Sequence, residues 1–142
     1  MSMKRSTYNT IIIIICIFMS IFAYFNSRNK KQINEAKRLP FTNTSLENVS
    51  DGIYEGKTYT SFMHLVLNVT VKDHKLDTIN IIENKGSKGQ KANKIIEKMI
   101  EENKVVIPLI KGDELATLVF ISCVDSAIKK GVAESGQIDL SE

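Results

Sequence analysis

Residues 10–25 (TIIIIICIFMSIFAYF) are sixteen in a row without a charge, and they restrict what this 142-residue chain can become. At about 1.5 Å per residue the run covers roughly 24 Å of a hydrocarbon core about 30 Å thick, which is short for a span and long for the core of a signal peptide, so length alone does not decide between them. Lys4 and Arg5 precede it and Arg28, Lys30 and Lys31 follow, which are the flanks of a membrane segment. Bulky residues around Phe22, Tyr24 and Phe25 stand where a cleavage site wants small ones, so the expectation is an uncleaved anchor after a basic N-terminus of residues 1–9. Five basic residues just after the run (Arg28, Lys30, Lys31, Lys37, Arg38) outnumber the two before it, and a count of charge alone puts that flank in the cytoplasm.

What remains has room for one domain. Net charge is +3, but it is unevenly divided: residues 1–45 hold seven Lys or Arg against one acid, and residues 46–142 hold twelve against fifteen. The folded part is therefore acidic, without the clustered cations and interleaved aromatics of a nucleic-acid surface, and nucleic acid is not an expected partner. Cys16 lies in the apolar run and Cys123 in a helical pattern far from it, so no disulfide or zinc framework follows, and Cys123 reads as a small core residue.

Residues 26–49 are polar, with Pro40 and no sustained apolar period, and read as a tether. The domain is expected over residues 50–135, with a tail at 136–142. Asp51-Gly52 is a turn signal before a short strand at 53–58. Met63, Leu65, Leu67, Val69 and Val71 then alternate with polar neighbours, Asp73-His74-Lys75 turns the chain, and residues 76–83 return as the partner of a hairpin. After a polar stretch holding Gly86 and Gly89, Ala92, Ile95, Ile96, Met99 and Ile100 recur at helical spacing, with Lys91, Lys94, Glu97 and Lys98 on the other face. Pro108 makes residues 105–110 an edge strand or an extended buried segment. A second helix starts near Asp113 or Glu114 and carries Leu118, Ile121, Val124 or Asp125, Ile128 and Val132 in period, with Lys129 and Lys130 near its end and Gly136 beyond. The expected class is α+β: a small antiparallel sheet with two helices packed on one face, preceded by a transmembrane helix.

Asp51-Gly52-Ile53-Tyr54-Glu55-Gly56, followed by Val69-Thr70-Val71-Lys72-Asp73 with Lys75 and Ile79, resembles the opening of the FMN-binding domain family, over about residues 50–132. That family includes flavoprotein subunits of ion-translocating NADH- and ferredoxin-oxidising membrane complexes. The resemblance implies an electron-transfer role, FMN as cofactor, membrane redox proteins as partners and a domain on the extracytoplasmic side of the cell membrane. In the family a later motif, D-x-x-S-G-A-T-x-S-S, joins FMN to its Thr. Here it falls on residues 108–117 (PLIKGDELAT), keeping Gly112 and Thr117, with Lys111 for the Ser and Glu114 for the attachment Thr. Glu114 has no hydroxyl to esterify, so any FMN would be bound non-covalently, by Lys111, Gly112, Glu114 and Thr117.

Asp113 and Glu114 at a helix start also read as an acidic cap that repels phosphate. His64 on an outward strand face and His74 in a turn read as solvated, with no metal spacing near them, and no nucleophile has a visible base. Two functions follow: a membrane-tethered flavin carrier, or a divergent member without flavin that binds or regulates a membrane partner.

Overall fold

The fold is described from a computed structural model covering residues 5–86 and 92–138. Lys4, Gly89, Lys91 and the tail beyond residue 138 lie outside the described residues. The chain divides into two compact units, Met1–Asn34 and Glu35–Glu142.

In the first unit the helix α1 (Arg5–Lys37) is long and apolar enough to cross a membrane. Ile13, Phe18, Phe22 and Phe25 are all more than half exposed and none of the apolar run is buried, a surface suited to lipid rather than water. Two of its hydroxyls bond back to the helix itself: Thr10 Oγ1 donates to Ser6 O at 2.9 Å and Ser20 Oγ to Cys16 O at 2.8 Å. At its polar end the Arg28 guanidinium lies 6.0 Å from the Tyr24 ring centroid, a cation–π pair of the kind found at membrane interfaces.

The second unit is the α+β domain. Strands β1 (Gly52–Tyr59), β2 (His64–Lys72) and β3 (Lys75–Lys85) form an antiparallel sheet in the order β1-β2-β3. One face carries Tyr54, Gly56 and Thr58 beside Val69, Leu67 and Leu65, with Ile79 and Ile81 on the third strand. The Asp73-His74 turn has φ of +51° and +59°, the geometry of a two-residue hairpin whose twist matches the strands, and the Asp51 carboxylate accepts from Asp73 N–H at 2.8 Å. Helix α2 (Ala92–Glu102) buries Ala92, Ile95 and Met99, as its period requires. It ends at Asn103 (φ +48°), whose neighbour Lys104 N–H bonds back to Met99 O at 3.1 Å, and the Asn103 side chain accepts from Leu76 N–H at 2.9 Å. Residues 105–110 take the extended buried form and add no strand to the sheet: Val105, Ile107 and Ile110 enter the core, and Pro108 has no donor for a ladder.

Helix α3 (Glu114–Ile138) runs further than expected, so Gly136 lies inside it and Lys129 and Lys130 are well before its end. From Val119 to Ile128 almost every side chain is buried, Asp125 included, whereas an amphipathic helix on a sheet should bury one face. The missing cover comes from residues 38–49. Expected as a tether, this part of the 26–49 stretch is folded: α1 continues to Lys37 because nothing breaks it before Pro40, and Leu46 and Val49 then join the core. A 3₁₀ turn at Leu46–Asn48 is capped by Ser45, whose hydroxyl accepts from Glu47 N–H. The Glu35 carboxylate meanwhile accepts from both the backbone N–H and the hydroxyl of Ser61, tying the last turn of α1 to the β1–β2 connection.

Candidate functional site

The corner at residues 110–117 turns on Gly112, which sits at φ +83°, a conformation that glycine alone adopts without strain. Asp113 N–H donates to Ile110 O at 2.9 Å and the Asp113 carbonyl accepts from Thr117 N–H at 2.9 Å, so the helix begins here. Of the four residues assigned to a flavin, the structure brings Gly112 and Glu114 into direct contact: the Gly112 N–H donates to Glu114 Oε1 at 3.0 Å. Thr117 is fully buried, and its hydroxyl donates to Asp113 O at 2.8 Å while accepting from Ile110 N–H at 3.3 Å. It is a structural hydroxyl that ties the 105–110 segment to α3.

This corner does not fit a flavin phosphate. A helix start binds phosphate with unused N–H groups and a partial positive charge. Here a side-chain carboxylate already accepts from the loop N–H, the Thr hydroxyl is consumed in the core, and two carboxylates, Asp113 and Glu114, stand against the one ammonium of Lys111.

The D-G-x-Y-x-G motif, by contrast, is explained at Asp51, Tyr54 and Gly56 by packing and hydrogen bonding. Helix α3 crosses β1 so closely at Gly56 that a Cβ there would lie 2.0 Å from the Cys123 carbonyl oxygen, which is backbone and cannot swing aside. Tyr54 is buried, its hydroxyl donates to Ser50 O at 2.8 Å, and its ring fills the space left by Gly131, where a Cβ would come within 2.8 Å of it. Asp51 holds the β2–β3 turn. These residues specify how the helix lies on the sheet, and none of them faces the 110–117 corner through a hydrogen bond.

Cys123 is fully buried between strand and helix, its thiol donates to Leu65 O at 3.5 Å, and burial pushes its pKa up to about 12, so it is an inert core thiol. Both cysteines are free. His64 and His74 are exposed, and among the described residues no group of His, Cys, Asp and Glu could hold a metal ion.

The group that sequence reasoning missed is Asp125. Its carboxylate, fully buried on α3, accepts from Thr42 N–H at 3.0 Å, Thr44 N–H at 3.3 Å and the Thr44 hydroxyl at 3.0 Å, and pairs with Lys129 at 2.9 Å. Burial opposes its ionisation, but Lys129 and the three donors outweigh that and hold its pKa below the usual carboxylate range. Asp125 thus latches the chain that leaves α1 onto the domain. Its place in the helical period, as an alternative to Val124, was the one available signal, and nothing in the sequence names partners more than eighty residues away.

No family model matches this sequence, and no curated protein or solved structure matches it significantly.

Proposed function

We propose that this chain is a membrane-anchored binding module on an FMN-binding-type domain that carries no flavin. The observation that supports it most is the bond from Gly112 N–H to Glu114 Oε1, which puts the chain's own carboxylate where a phosphate would need the donor. The buried, doubly bonded Thr117 hydroxyl adds to it. Three fixed positions of the motif that carries the family resemblance, Asp51, Tyr54 and Gly56, are accounted for by packing and hydrogen bonds within the domain, so the motif speaks for the fold and leaves the cofactor open.

The test is absorbance. Full-length protein purified in detergent, incubated with FMN and desalted, is expected to be colourless near ~370 and ~450 nm, and Glu114→Thr alone is not expected to restore binding, since Asp113 and Lys111 still depart from the family motif. Flavin retained after desalting and released by acid would refute the proposal in favour of a non-covalent electron carrier.

A further inference from the structure

The first unit, Met1–Asn34, holds five Lys or Arg and no Asp or Glu, so all its side-chain charge has one sign. Three of these cations, Arg28, Lys30 and Lys31, follow the apolar run within two turns of α1, and all three are exposed. An upright run of roughly 24 Å centred in a core about 30 Å thick leaves about 3 Å of core beyond each end. Counted from there at about 1.5 Å per residue, the backbone of Arg28, Lys30 and Lys31 falls about 1 to 5 Å into the headgroup layer, which is itself about 5 to 8 Å deep. Long side chains on a helix lean toward its N-terminus, which here means back toward the run. The Arg28 guanidinium does so, 6.0 Å from the Tyr24 ring centroid, and Tyr24 packs edge-on against Phe25 at 6.2 Å. The run therefore ends in an aromatic pair and a basic collar at headgroup depth.

The chain's own carboxylates do not neutralise this collar. The first acid after it in sequence is Glu35, whose carboxylate accepts from Ser61 N–H at 2.7 Å and from the Ser61 hydroxyl. Among the described residues no ion pair holds Arg28, Lys30 or Lys31. Nor do the three converge on one point: at about 100° per residue, Lys30 lies about 200° and Lys31 about 300° around the helix from Arg28. Such a spread suits a partner that surrounds the helix. A layer of phospholipid headgroups does that, and it offers each cation a phosphate of its own.

We propose that Arg28, Lys30 and Lys31 bind the headgroups of anionic phospholipids, so that α1 gathers these lipids around its polar end. The proposal rests on α1 as the membrane anchor and on nothing in the domain. A soluble phosphate meets at most one of the three cations at a time, so flavin retention in neutral detergent remains a test of the domain.

The experiment is NMR of the ¹⁵N-labelled full-length chain in phosphatidylcholine bicelles, as phosphatidylglycerol replaces part of the lipid. Saturable shifts are expected at the amides of residues 28–31. One cation near an anionic surface is worth up to about fivefold in affinity, so Arg28→Gln, Lys30→Gln and Lys31→Gln should each raise the phosphatidylglycerol fraction at half-effect by up to that factor. The triple variant should lose the shifts. Lys94→Gln, which removes the same charge from an exposed position on α2, should leave them unchanged. Salt at about 1 M, where the Debye length falls to about 3 Å, should weaken them. Amides at 28–31 that ignore phosphatidylglycerol, a triple variant that responds like the wild type, or Lys94→Gln acting as strongly as Lys31→Gln would each overturn the proposal. Equal shifts from inorganic phosphate added to pure phosphatidylcholine bicelles would overturn it in favour of a free-anion site. The anchor is read separately, from the shielding of the amides of residues 12–24 against a water-soluble paramagnetic agent in neutral bicelles. Their exposure would sink the anchor, whereas shielded amides with a silent 28–31 segment would sink this proposal alone.

Discussion

Asp125→Asn isolates the latch between α3 and residues 42–44. The substitution keeps size and shape but swaps one carboxylate oxygen for an NH₂ group that faces donors. At least one of the bonds from Thr42 N–H, Thr44 N–H and the Thr44 hydroxyl must be lost, and the remainder become neutral. Hydrogen bonds to a charged group contribute about 1.5–3 kcal/mol each and are not additive within one network. The Lys129 pair counts for little, since its ammonium end is 43% exposed and screened by water. Relief of the buried charge returns part of the loss. The net expectation is destabilisation by about 3 kcal/mol, which at a urea dependence of about 1.5 kcal/mol per molar lowers the unfolding midpoint by about 2 M. Tyrosine fluorescence, which in the domain comes from buried Tyr54 and exposed Tyr59, can follow the transition in detergent. Hydrogen exchange adds the location: the Thr42 and Thr44 amides should lose protection in the variant before the amides of β2 do. A midpoint within about 0.3 M of the wild type, corresponding to roughly 0.5 kcal/mol, would refute the latch.

The same carboxylate sets a pH dependence. Its folded pKa is lowered, so its contribution is fully present above its unfolded value of about 3.9 and lost as pH falls through the lower folded value. The stability gap between wild type and Asp125→Asn should hold constant from neutral pH to about 5 and narrow below about 4, as read from urea midpoints, and a gap indifferent to acid would count against an ionised Asp125. Gly56→Ala should cost about 3 kcal/mol or more, at or beyond the upper end of overpacking effects, because the added methyl meets the Cys123 carbonyl at 2.0 Å and α3 must lift from β1. A thermal melt unchanged from the wild type would show that the crossing is looser than described.

Local pattern carried much of the fold into the sequence. The alternation from Met63 to Val71 gave β2 and its buried face, and the spacing of Ala92, Ile95 and Met99 gave α2, because side-chain direction in a strand or helix follows from backbone geometry within a few residues. The apolar run at residues 10–25 marked a candidate span by composition alone. The flavin-site reading rested on one aligned segment, and its two acidic residues were visible there. That Glu114 turns back to accept from Gly112 N–H, and that Thr117 is spent inside the core, belongs to the tertiary structure.

Residues 38–49 show most clearly where sequence stops. Leu39, Leu46 and Val49 are too sparse to form a period, and the polar residues between them have the composition of a solvated linker. They fold because α3 needs cover on the flank that the sheet does not reach, and because one buried carboxylate there satisfies the donors of Thr42 and Thr44. The sequence alone determined the three strands, α2 and the start of α3, whose causes are local. Which glycines lie under a crossing helix, and which carboxylate holds a distant loop, was decided only when packing brought together residues that share no spacing along the chain.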